Sequence, residues 1–77
     1  MKISPNVWTQ LNTSSNSFVI QNLSMDKILL IASVEIPQTN TPDLVLDVQD
    51  VISSIIINKI FWGKPSRERE ALVGIVE

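Results

Sequence analysis

DLVLDVQDVISSIII, residues 43–57, can be read in two ways, and the choice between them decides the fold. Thr41-Pro42-Asp43 has the form of a helix start: a capping threonine, proline at the first position and an acid in the first turn. Leu44, Val48, Val51, Ile52, Ile55 and Ile56 then recur at three- and four-residue steps, as a helix face requires. Composition argues the other way. Nine of the 15 residues are Ile, Val or Leu, and none is Ala, Glu, Lys or Arg. A helix built this way loses side-chain rotamer freedom at every β-branched position. The preferred reading is two short strands, 44–48 and 51–57, broken near Gln49-Asp50. A helix over 42–57, which would make the fold α+β, is the alternative.

The flanking sequence favours strands. Of 77 residues, 26 are Ile, Val or Leu and only Ala32 and Ala71 are alanine. Ser, Thr, Asn and Gln total 23, a composition suited to turns and sheet margins. Residues 6–11 and 17–22 read as strands around the turn Asn12-Thr13-Ser14-Ser15-Asn16, whose side chains can bond their own backbone. Lys27 to Ile36 is the longest strand candidate, followed by a loop at 37–42 with a proline at each end. Asn58-Lys59 could turn, or Ile55 to Trp62 could run as one strand; residues 63–66 close that segment, and a last strand covers 69–76. These readings define a single domain, residues 1–77. Its expected class is all-β, a small antiparallel sandwich or barrel of about six to eight short strands.

The residue inventory removes whole classes of chemistry. With no Cys and no His there are no disulfides, thiolates or imidazole ligands, and no Ser-His or Cys-His pair. Gly63 and Gly74 are the only glycines, so neither a phosphate-binding loop nor a dinucleotide fingerprint can be written. Asp43, Asp47 and Asp50 are the only acidic cluster and lack the spacing and glycine of a calcium loop, so solvated turn positions are the preferred reading. The expectation is a non-enzyme without cofactor or metal. A net charge of −2 lacks the basic footprint of a nucleic-acid binder. No run of 18 apolar residues could span a membrane. The start MKISPNVWTQ has no apolar signal region, so synthesis and retention in a cytoplasm are expected.

Contact with other proteins is the remaining kind of function. VISSIII, residues 51–57, is β-prone, uncharged and free of proline, a hazard unless covered by the domain or a neighbour. A domain this small has limited interior, so an oligomer would cover it economically. Four of the six basic residues lie between Lys59 and Arg69. In a strand, Arg67 and Arg69 would share one face and present a cationic stripe, although a charged turn blunting an edge is the plainer reading. Trp8 and Trp62 could be core rings, interface anchors or a sugar platform, with core packing as the default. The candidate partner interface is Trp8, Ile55, Ile57, Trp62, Lys64, Arg67 and Arg69.

Val7-Trp8-Thr9-Gln10-Leu11, Ser17-Phe18-Val19-Ile20-Gln21-Asn22 and Ile60-Phe61-Trp62-Gly63-Lys64-Pro65 resemble, in order and spacing, segments of small tailed-phage virion proteins. The resemblance implies a β-sandwich, often trimeric, that decorates a capsid or forms part of a head, tail or fibre. It also implies other virion proteins as partners and the virion as the place of residence. The family pattern carries more Gly and Ala in its later turns than the heavier residues 51–57 here. A receptor- or glycan-binding fibre tip is the alternative role.

Overall fold

The computed structural model describes all 77 residues, and they form eight strands and no helix. The strands are β1 (Lys2–Ile3), β2 (Thr9–Gln10), β3 (Val19–Asn22), β4 (Ile28–Ala32), β5 (Leu44–Leu46), β6 (Val51–Ser53), β7 (Phe61–Pro65) and β8 (Ala71–Val76). They make two four-stranded sheets, ordered β1-β8-β3-β6 and β2-β7-β4-β5, with every pairing antiparallel. The all-β, sandwich-like architecture expected from composition is therefore the one observed.

Only β4 and β5 form a hairpin within one sheet; every other connection carries the chain across to the opposite sheet. The crossings after β1, β3, β5 and β7 gather at one end of the sandwich. Those after β2 and β6 lie at the other end, together with the β4–β5 loop. The core lies between the layers, where strand alternation sends Ile3, Ile20, Ile52, Ala71 and Val73 from one sheet against Ile28, Leu30, Leu46 and Phe61 from the other. Phe18 meets Phe61 edge-on, with ring centroids 6.1 Å apart.

Residues 43–57 do hold two strands with a break at Gln49-Asp50, and Gln49 adopts a left-handed φ of 70° there. Both strands are shorter than the pattern suggested. β6 ends at Ser53, whose carbonyl accepts from the amides of Ile56 and Ile57 and curls the chain into one turn. Residues 63–65 also depart from the expected closing turn, since they belong to β7, an interior strand of its sheet. Pro65 is tolerated because β2 pairs only with Trp62 and Gly63, leaving β7 locally an edge beyond them. Arg67 to Glu70 lie outside any strand, and β8 begins at Ala71, so the cationic stripe of a strand does not form.

Candidate functional site

The outward faces of the two sheets differ, and the difference follows from where the long β4–β5 loop goes. On the β2-β7-β4-β5 sheet, Ile31 and Trp62 are cross-strand partners pointing away from the core. Both are nonetheless buried. Residues 33–40 cover them: the Trp62 indole N–H donates to the Ser33 carbonyl (2.9 Å), and the Trp8 indole N–H donates to the Thr39 carbonyl (2.9 Å). The Lys64 ammonium lies 4.8 Å from the centre of the Trp8 ring and donates to Asn40 Oδ1 (3.0 Å). Trp8, Trp62 and Lys64 thus converge on one face, where the chain's own loop takes up their polar atoms. The Trp62 ring is buried, and the Trp8 ring is half-buried with Lys64 over it.

The β1-β8-β3-β6 sheet has no such cover. Its outward positions carry Val19, Leu72, Val76 and Val51, with Leu23 just beyond β3, and all are exposed. Gln21, Ser53 and Gly74 separate them, and Lys2 at the margin is the only charge among these outward residues. Gly74 leaves room for a neighbour: a Cβ there would stand 3.0 Å from Leu23 Cδ1. Beyond β6, the turn at 54–56 projects Ile55, 93% exposed, and Ile56, 73% exposed, whereas Ile57 folds back against the core. A recess of about 410 Å³ lies between this turn and the sheet, with Val19, Ser53, Ile55 and Val76 among its walls.

Arg67 and Arg69 meet at a third place, on Asp26 in the β3–β4 crossing. Arg69 binds both carboxylate oxygens, at 2.6 and 2.9 Å, and Arg67 Nε lies 3.3 Å from Oδ1. The Arg69 hydrogen bonds hold the Asp26 carboxyl below its ordinary range against the opposing effect of desolvation. The same bond raises the Arg69 guanidinium. The two arginines thus share an acid of their own chain, brought together by a crossing loop, and not the strand face that the alternation predicted.

Two residues that the sequence reading treated as turn and strand polars prove central. Asn22 is fully buried; its Nδ2 donates to the carbonyls of Asp26 (2.8 Å), Leu46 (3.0 Å) and Asp47 (3.1 Å), and its Oδ1 accepts from the Ser24 amide and hydroxyl. Asn12 does the same at the other end, donating to Ser14 and Lys59 carbonyls and accepting from the Phe61 amide. The signal for them is an asparagine with serine two residues on, a self-bonding turn pattern that stands in both places. The acidic trio serves turns as well. The Asp43 carboxylate accepts from the Ala32 amide, and that of Asp50 from the Asp47 amide. Nowhere do three or more potential metal-ligating acids come together.

Compared with known proteins, the chain matches no family model, no curated protein and no solved structure.

Proposed function

We propose that this chain is a non-enzymatic structural module that acts by protein–protein contact, as a capsid-decorating or head- or tail-associated component of a phage particle. The observation that carries the contact role is the uncovered aliphatic face of the β1-β8-β3-β6 sheet. Val19, Val51, Leu72 and Val76 stand outward there beside a single lysine, whereas on the opposite sheet the chain's own loop takes up Trp62 and the Trp8 indole N–H and leaves Val45 as the exposed outward aliphatic strand residue. Large apolar surface left open on a small domain marks interaction sites. The setting in a particle rests on the resemblance of residues 7–11, 17–22 and 60–65 to virion proteins. Self-association and contact with other virion proteins belong to the same reading.

Mass spectrometry of density-purified particles from a phage encoding this chain tests the proposal. The chain is expected at many copies per particle, retained through a high-salt wash because the contact is apolar. Its absence from particles, with the chain abundant in the lysate, would sink the reading.

A further inference from the structure

We infer that the outward face of the β1-β8-β3-β6 sheet is the site at which two copies of this chain pair, face to face, about a twofold axis. The inference rests on the contact role proposed above and names its surface, partner and stoichiometry. Along β3, burial alternates sharply: Ile20 and Asn22 are inaccessible, while Val19 is 41% exposed on the other side. Val76, its cross-strand neighbour on β8, is 68% exposed. Leu72 matches Val19, and Val51 and Leu23 lie between these values. These side chains sit on a paired sheet whose backbone hydrogen bonds are already made, so what the face offers a partner is apolar contact.

Size and charge select a second copy as the occupant. The molecule is a flat body of 31 × 27 × 17 Å, the thin dimension being that of two stacked sheets. One broad side of the whole molecule is therefore on the order of 650 Å² in projection, of which the four paired strands, none longer than six residues, make up about half or less, and a stable interface takes ~800 Å² from each partner. The sheet must therefore be covered together with its flanking turn, where Ile55 and Ile56 stand exposed, by a body of similar breadth, which the same side of another copy supplies. The face is also compatible with its own image. Lys2 is the one charge on its outward strand positions and lies on β1, the edge strand, while Glu77 at the recess is held by Thr13 at the margin, so a twofold operation brings no cluster of like charges to the centre. Gln21, flanked by Gly74 and Val51 in register, occupies the middle and can donate to and accept from its symmetry mate. The edges suit pairing less well, since β1 has two residues and β6 three. A sheet face meeting itself is isologous and closes at two; a trimer, which the family resemblance implies, would need two different patches to meet.

The experiment is sedimentation equilibrium of the free chain and three variants, Val76→Lys, Val51→Lys and Val34→Lys, each checked for a native far-ultraviolet spectrum and cooperative melting. Val34 lies in the β4–β5 loop, away from the face, and is 91% exposed. The expected result is a dimer for the wild type and for Val34→Lys. Val76→Lys and Val51→Lys should each weaken pairing by on the order of 100-fold, because symmetry places every new charge twice in a desolvated contact. Both sites are half or more exposed, so at least one variant will fold, and the wild-type mass is a test in itself. A wild-type monomer or trimer at about 100 μM, or dimers of folded Val76→Lys and Val51→Lys as tight as wild type, would overturn the inference. A monomeric chain that is still found in particles would overturn it while leaving the proposed function standing. A dimer absent from particles would do the reverse.

Discussion

Arg69 clasps Asp26 across 43 positions of sequence, with Nε 2.6 Å from one carboxylate oxygen and Nη2 2.9 Å from the other. The pair joins the β7–β8 crossing to the β3–β4 crossing at the end of the sandwich where four crossings gather. Arg67 adds a weaker contact to the same acid. Short crossings between the sheets have little core of their own, so polar ties of this kind fix where each strand enters its sheet.

The first prediction concerns acid. Asp26 has a folded pKa below its ordinary value of 3.8 through the Arg69 bond, and Glu77 lies below 4.5 through hydrogen bonds from the Thr13 amide and hydroxyl. For a carboxyl lowered on folding, the stabilisation is complete above the unfolded pKa and is lost as pH falls through the folded one. Thermal midpoints should therefore be level, as far as these two groups are concerned, from about pH 8 to 5 and decline below about pH 4. Asp26→Asn should lower the midpoint at pH 7 and flatten the acid limb, and Glu77→Gln should flatten it further. Melting curves across pH check this; an acid limb unchanged in the double variant would refute it.

Asn22→Ala is the second prediction. It removes the donor that serves three main-chain carbonyls from a site closed to solvent. Leaving buried acceptors without partners costs about 1–3 kcal/mol, and with several affected a loss of ~3 kcal/mol is expected. In a domain of this size that lowers the melting midpoint by on the order of 15 °C. Asn22→Asp, similar in shape but without the amide donor, should fare no better. Chemical denaturation measures both, and a change under about 1 kcal/mol in each would refute the role.

What could be seen in the sequence, and what could not, follows from the range of each interaction. Strand existence was legible because β-branched composition and a period of two act within a few residues, as in Ile28, Leu30 and Ala32. The break at Gln49-Asp50 was legible for the same reason. Strand length was not: β6 stops at Ser53 because its partner β3 runs out at Val19, a fact of register that residues 51–57 alone do not contain. The interface candidates divide in the same way. Ile55, read from the sequence as a strand residue, stands exposed in a turn because β6 ends at Ser53, and Trp62 is covered because the β4–β5 loop closes over it. The aliphatic face now assigned the contact role is spread over β3, β6 and β8, and only pairing brings Val19, Val51 and Val76 together.

A third prediction tests packing between neighbouring strands on the inner side of the β2-β7-β4-β5 sheet. A Cβ on Gly63 would stand 2.8 Å from Leu11 Cδ1, inside the contact distance of two carbons, and both residues are buried. Gly63→Ala should therefore destabilise by about 1–2 kcal/mol, and Leu11→Val alone by about 1 kcal/mol. If the clash is the cause, the double variant should be less unstable than the sum, with a coupling above ~0.5 kcal/mol. Strict additivity in a double-mutant cycle would rule the clash out as the cause.

The fourth prediction separates the two indoles, because the loop over the β2-β7-β4-β5 face shields them unequally. Trp62 is nearly inaccessible, whereas Trp8 is half-buried with Lys64 over its ring. In Trp8→Phe the remaining Trp62 should emit at short wavelength and resist acrylamide quenching. In Trp62→Phe the remaining Trp8 should emit further to the red and quench more readily. Lys64→Met removes the cation above Trp8 and its bond to Asn40, at a cost of about 0.5–1 kcal/mol, and should change the Trp8 emission while leaving that of Trp62 alone. The direction matters for the whole face: if Trp62 quenched as readily as Trp8, residues 33–40 would not be closed over it. The β2-β7-β4-β5 sheet would then offer a second open apolar surface, and the selection of the opposite sheet as the contact site would lose its basis.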